Sequence, residues 1–251
     1  MRYRIPLWVT CSKNDLKPHL QHTWDSGKRD AAFLARLEHI LALYGLRYDA
    51  AYRVVCFDER PCFLIGDTLV PPPMRTGDIA KQQCEYAKLG SCALFAAIEP
   101  KTGQRIGHVY ARRTKRECTH FCQLRAARYP QATNVRLVLD NLNTHHASSF
   151  CEHLPAHEAF ALAQRFEVHY TPKGTSWLNM SECEVSVRVR QCLDRQIASM
   201  ERLRSEVLAL LEERSAKALK IHWQFSVQAA RSTFNAHYTR VNLANQQYKE
   251  T

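Results

Sequence analysis

The chain has 251 residues, of which 45% are hydrophobic, 24% charged and 10% aromatic. These proportions exclude a disordered, collagenous or coiled-coil protein and leave room for one large domain or two small ones. Its 35 Lys and Arg against 24 Asp and Glu give a net charge of +11, which favours a polyanionic partner, nucleic acid before a membrane surface.

The first dozen residues carry no clear pattern, and Met1 to Pro6 lacks the apolar stretch of a signal peptide. From Asp30 to Tyr44, apolar residues at Phe33, Leu34, Leu37, Ile40, Leu41 and Tyr44 predict an amphipathic helix that Gly45 stops. Tyr52 to Asp58 reads as a buried strand ending in a carboxylate. Pro71-Pro72-Pro73 and Gly77 mark a rigid loop. Cys92 to Ile98 and Arg105 to Ala111 read as strands joined in a hairpin by Glu99 to Gly103. A helix from about Arg116 to Tyr129 and a strand from Val135 to Asp140 follow. Then come a helix over 148–166, a short strand over 167–170, a long helix over 176–196, and a last helix carrying Leu203, Val207, Leu210 and Leu211. A strand meander followed by alternating helices and strands predicts an α/β fold, a mixed sheet with helices on its faces.

No apolar run approaches the roughly 20 residues that span a bilayer; the longest, Cys92 to Ile98, is seven. The ten cysteines lie in strand-like and helix-like runs without a CxxC, and at that density reduced, buried thiols of a cytoplasmic protein are expected rather than a disulfide scaffold.

The chemistry rests on where three carboxylates fall. Asp58 and Asp140 each close an apolar strand and are followed by a second polar residue, and strand ends of α/β sheets open onto the ligand crevice. A turn or N-cap aspartate explains either one alone; two together favour a site. On the helix from Ser176, Leu178, Val185, Val189 and Cys192 form one stripe, and Glu182 lies within it. Glu184 lies about 200° away. Glu182 is therefore expected to face the sheet and Glu184 to be solvated. A buried carboxylate needs an arginine, a metal or a proton, and two aspartates at the same crevice favour the metal. An oxygen-only ligand set suits Mg²⁺ or Mn²⁺, bound as a pair that activates a nucleophile and stabilises a leaving oxygen in phosphoryl transfer. The segment Lys101 to Pro130 carries eight basic residues and one acid, so it holds most of the excess charge and is a candidate phosphate-tracking surface.

Three motifs then resemble bacterial insertion-sequence transposases of the DDE type, in the branch related to the mariner elements. They are Phe57-Asp-Glu-Arg-Pro61, Leu137-Val-Leu-Asp-Asn-Leu-Asn-Thr-His145 and Tyr170-Thr-Pro-Lys-Gly-Thr-Ser-Trp-Leu-Asn-Met-Ser-Glu182, in the right order within a resemblance running from about Lys13 to Tyr238. The resemblance implies a ribonuclease H-like fold with Asp58, Asp140 and Glu182 as catalytic and metal-binding residues. It gives Asn141, His145 and Asn179 supporting places, and Arg112, Arg113, Lys115, Arg116 and Lys173 contacts to DNA. The implied reaction is strand cleavage by water followed by attack of the freed 3′ hydroxyl on target DNA, with Mg²⁺ or Mn²⁺ as cofactor. The implied partners are the element's ends and its target, a homodimer by family analogy, and no membrane; the place is the cytoplasm, on the nucleoid when DNA is bound.

Such transposases begin with helix-turn-helix segments. Here the match starts near Asp15-Leu-Lys-Pro18, so residues 1–50 are expected to be a linker and helix, 51–200 the catalytic domain and 201–251 a helical extension. The chain would then be one part of a split gene or a truncated remnant. The competing expectation is a catalytically silent DNA-binding or dimerising fragment. Cys118-Thr-His-Phe-Cys122 offers a weak zinc pattern, since on a helix 118 and 122 share a face that 120 does not; two core thiols explain it better. Trp177, Trp223 and Phe225 are expected to pack rather than stack on bases.

Overall fold

A computed structural model describes residues 29–69, 85–140, 142–188 and 196–245. The Pro71–Pro73 loop, Asn141, Val189, Cys192 and the linker near Asp15 lie outside the described residues.

Helix α1 (Ala31–Gly45) begins at Asp30, whose side chain accepts from the Phe33 N–H at 2.9 Å as an N-cap should. Three strands follow: β1 (Tyr52–Asp67), β2 (Tyr86–Glu99) and β3 (Gln104–Tyr110). Helix α2 (Lys115–Arg128) opens on a Thr114/Glu117 capping box and leads to β4 (Asn134–Leu139). The predicted helix over 148–166 is two helices, α3 (Ser148–Cys151) and α4 (Ala156–Gln164). Pro155 has no N–H to donate and disfavours helical geometry in the residue before it, so it ends the first and starts the second. Strand β5 (Phe166–Tyr170) leads to a single 3₁₀ turn (Ser176–Leu178) and α5 (Met180–Arg188), so the predicted helix from Ser176 starts four residues late. Then come α6 (Met200–Ala216), α7 (Val227–Thr233) and α8 (Asn235–Val241), the last two without a sequence signal long enough to read.

The sheet order among the described strands is β3-β2-β1-β4-β5. β1 pairs antiparallel with β2, and β2 with β3; β4 is parallel to both β1 and β5. Strand alternation divides the core. Val55, Phe57, Phe95, Leu137 and Leu139 face α2, α3 and α4 with Phe121, Phe150 and Leu162. On the other face Cys56, Ile98 and Val138 meet Ile40, Leu43, Tyr44 and Met180. Cys62, Leu94, Ala96 and Val109 meet Val185, Leu203, Val207 and Leu211 there, so α6 packs directly on the sheet. A third cluster joins α1 (Phe33, Leu34, Leu37, Leu41) to Ala230 and Tyr238 of α7 and α8.

Two expectations are corrected here. Asp58 does not end its strand: β1 continues to Asp67 alongside β2. Of the described cysteines, 56, 62, 92, 118 and 122 are free and buried, but Cys151 and Cys183 are exposed.

Candidate active site

The parallel ladder between β1 and β4 ends at the pair Cys56–Val138. Two residues further along each strand come Asp58 and Asp140, so the two carboxylates sit where the strands part, on the face of Cys56 and Val138. The same face receives Met180 at the start of α5, two residues before Glu182. Asn179 fixes this approach. Its Nδ2 donates to the Phe57 carbonyl at 2.7 Å and its Oδ1 accepts from the Ser181 N–H at 3.1 Å. Ser181 Oγ donates to the Ala96 carbonyl at 2.8 Å, and Ala96 is the β2 partner of Asp58. The first turn of α5 is thus tied to the main chain on both sides of Asp58.

Electrostatics link the two other acids to Asp58. Burial, then the negative charge of Glu182 and, more weakly, of Asp140 push the Asp58 carboxyl up to about 7, against the pull of the Glu59 N–H. Asp140 Oδ1 is buried and lies 2.8 Å from His145 Nδ1. Three carboxylates linked in this way, one of them inclined to keep its proton, are an oxygen-only donor set of the kind that suits hard divalent cations, although the described donor atoms that lie within 4.8 Å of one another belong to Glu59, Cys118 and His145.

His145 lies beneath Asp140. Its Nδ1 is 2.8 Å from Asp140 Oδ1 and 3.1 Å from the Asp140 carbonyl, and its Nε2 is 3.0 Å from Glu59 Oε1. Burial alone would lower this imidazole, but hydrogen bonds to Asp140 and Glu59 and the charge of Glu59 push it up to about 9. The sequence marks Glu59 only as the polar residue after Asp58 within the Phe57–Pro61 motif, and its place one residue on puts it on the opposite face of β1.

Glu184 departs from expectation. It is buried, and its Oε1 accepts from Arg105 Nε and Arg214 Nε, both at 2.9 Å. The expected stripe counts from Leu178, which lies in the 3₁₀ turn and not on α5. On the helix itself Met180, Ser181, Glu184 and Val185 share the buried side, and α6 supplies Arg214 to it. Glu182 is only partly buried.

The basic segment is thinner on the surface than its charge suggests. Arg105 and Arg125 are buried, the first with Glu184. The second lies in the aromatic core, 4.2 Å from the Phe57 ring centroid, with Nη2 donating to Cys122 Sγ at 2.7 Å. Arg112, Arg116 and Lys173 are exposed. Arg113 Nε is 3.6 Å from Glu59 Oε2, and Lys115 pairs with Glu152. Arg113 thereby brings the β3–α2 connection up to the Glu59–His145–Asp140 group. The Cys118/Cys122 pair is buried while His120 meets the Tyr110 hydroxyl at 2.6 Å, so those three residues do not converge. Trp177 stacks on Trp223 with rings 5° from parallel, its edge region also meeting Phe225.

A protein family described as DDE superfamily endonuclease matches residues 53–204. No curated protein matches the chain. Among solved structures, the Mos1 transposase paired-end complex with the left transposon end is similar at TM-score 0.52 and 13% identity, over 97% of this chain and 71% of that one. The Mos1 mariner paired-end complexes with Mn and with Mg are similar at TM-score 0.51, with 12% and 14% identity, over 96% and 97% of this chain and 71% of theirs. The fold is accordingly ribonuclease H-like.

Proposed function

Because the chain belongs to the DDE superfamily of endonucleases, we propose that it is the catalytic part of a mariner-related transposase of the insertion-sequence type, cutting DNA at an element's ends and joining the freed ends to a target. One observation carries this reading: Asp58 and Asp140 lie two positions past the last paired residues of β1 and β4, and the Asp58 carboxyl feels the negative charge of both Glu182 and Asp140.

In this reading Asp58, Asp140 and Glu182 hold two Mg²⁺ or Mn²⁺ ions. When bound, these supply Lewis-acid activation of the attacking oxygen and charge stabilisation at the leaving oxygen. The chain's own residues provide the frame. Asp58 sits on a strand bonded to β2 at that position, Asn179 and Ser181 anchor the turn that carries Glu182, and His145 lies against Asp140. Water and a DNA 3′ hydroxyl are alternative nucleophiles for the same in-line displacement at phosphorus, so a single frame serves cleavage and joining. Arg112, Arg113, Arg116 and Lys173 supply the cations beside the crevice that the phosphodiester backbone requires. A homodimer holding two ends, in the bacterial cytoplasm, completes the proposal; Asn141 keeps a supporting place in it.

The test is cleavage of labelled element-end DNA by the purified chain with Mn²⁺. Nicking that disappears in Asp140→Ala is the expected result. Equal inertness of wild type and variant, with both still binding DNA, would replace this reading with that of a catalytically silent DNA-binding fragment.

A further inference from the structure

Glu59 is a carboxylate with no exposed side-chain surface, on the core face of β1, where the neighbouring positions are Phe57, Phe95 and Phe121. Packing asks for an apolar side chain there, and a lone buried charge would be strongly unfavourable. The carboxylate is instead committed to two partners: His145 Nε2 at 3.0 Å, and Arg113 Nε at 3.6 Å from the other oxygen. The imidazole is itself 1% exposed, lies 5.1 Å from the Phe57 ring, and turns its second nitrogen to Asp140. A continuous polar chain therefore runs Arg113–Glu59–His145–Asp140. It crosses from β1 to β4 at the level where their main-chain ladder has stopped.

We propose that Glu59 is a positioning residue for the metal site: by accepting the Nε2 proton of His145 it fixes the ring with Nδ1 against Asp140, and so aims the Asp140 carboxylate at Asp58 and Glu182. The proposal rests on the metal-dependent reading above. Adjacent residues on one strand divide the work, Asp58 facing the crevice and Glu59 bracing, from behind, the carboxylate that Asp58 must meet. Arg113 is a weaker brace, because its side chain is 45% exposed and its contact is longer. Outer carboxylates of this kind fix the orientation of metal ligands, and their loss costs about ten- to hundredfold in metal affinity or activity.

The experiment measures Mn²⁺ binding to the full chain, by electron paramagnetic resonance and calorimetry, in wild type, Glu59→Ala and Glu59→Gln. Glu59→Ala should bind Mn²⁺ about ten- to hundredfold more weakly, with cleavage returning as Mn²⁺ is raised. Glu59→Gln, whose amide oxygen still accepts from Nε2–H, should recover most of the loss. A purely structural carboxylate would lower the melting temperature without moving the metal constant. Should Glu59→Ala not fold, ¹⁵N-histidine-labelled wild type decides. The Nε2 proton of His145, assigned through its contacts to the Phe57 ring, should be a slowly exchanging low-field resonance; its absence overturns the proposal. Wild-type Mn²⁺ affinity in a folded Glu59→Ala overturns the proposal and leaves the proposed function standing. No Mn²⁺ binding by wild type removes both. Purified chain that holds one equivalent of zinc, lost in Cys118→Ser, also overturns it. Glu59, Cys118 and His145 bring their donor atoms within 4.8 Å of one another, and they would then be ligands themselves.

Discussion

Arg105 Nε donates to Glu184 Oε1 at 2.9 Å, with 1% of the arginine side chain and 9% of the glutamate side chain exposed. This pair separates two carboxylates that stand two positions apart on α5. Glu184 is held by arginines of β3 and α6, and only Glu182 remains for the crevice. Removing Glu184 strands two guanidinium groups, one of them buried, and breaking a buried pair from one side costs roughly 3–5 kcal/mol. Glu184→Ala should therefore lower the melting temperature sharply. Glu182→Ala should leave it near the wild-type value and abolish Mn²⁺-dependent cleavage. Thermal melts beside a nicking assay read both.

Asp58 gives the metal-free protein a pH dependence of definite sign. Its folded carboxyl titrates near 7 against an ordinary 3.8, so between those values the folded chain keeps a proton that the unfolded chain has released. Its contribution is most favourable below the ordinary value and is lost as pH rises through 7, falling by about 1.4 kcal/mol for each pH unit between the two values. In EDTA, Asp58→Asn should melt above wild type at pH 8, with the difference shrinking towards pH 4. Mn²⁺ binding near pH 6 should release a proton, visible by calorimetry in buffers of different ionisation enthalpy.

Arg125 is fully buried and donates to the sulfur of Cys122, while its Nε and Nη1 have no partner among the described residues. Burial pushes the Cys122 thiol up, but the hydrogen bond from Cys118 and the guanidinium charge outweigh it and hold the group below the usual thiol range. Cys122→Ala leaves a buried donor without its acceptor and should cost about 1–3 kcal/mol. Cys118→Ala removes a small buried side chain and should cost far less. Denaturant melts of the two variants decide it.

Gly103 closes the turn between β2 and β3 with φ +77, and a Cβ there would lie 2.6 Å from the main chain at Ala218. Strain and collision act together, so Gly103→Ala should destabilise by more than about 1 kcal/mol, as expected of an incompatible backbone substitution. The expected signature is a lowered melting temperature with an unchanged Mn²⁺ constant once folded.

Binding to DNA should follow the exposed cations and spare the buried ones. Neutralising Arg112, Arg116 or Lys173 should reduce the slope of log affinity against log salt by about one each. Neutralising Arg105 should act through stability instead.

The sheet was legible because its strands are apolar and bounded by turn residues, and the crevice because Asp58 and Asp140 follow runs such as Val54 to Phe57 and Val135 to Leu139. The depth of Glu184 was not, since the expected stripe takes Leu178 as part of the helix and so turns the wrong side inward. The helix begins at Met180 and carries Glu184 on its buried side, towards the distant Arg105 and Arg214. Glu59 is hidden by its neighbour, because the strand pattern draws the eye to the first carboxylate of the Asp58-Glu59 pair. Its partner lies 86 positions away, a separation that no local pattern reports. The basic run from Lys101 to Pro130 misleads in the opposite direction, because counting charges does not reveal that Arg125 points into aromatic rings.

Glu38 of α1 receives Arg231 at 2.7 Å and 2.9 Å and the Tyr238 hydroxyl at 2.7 Å, beside the cluster of Phe33, Leu34, Leu37 and Leu41 with Ala230 and Tyr238. The consequence is a rule for dissection. A fragment cut before α7 would expose the side of α1 that Ala230 and Tyr238 cover and leave Glu38 without Arg231, so any piece that keeps these contacts runs at least from Asp30 to Tyr238.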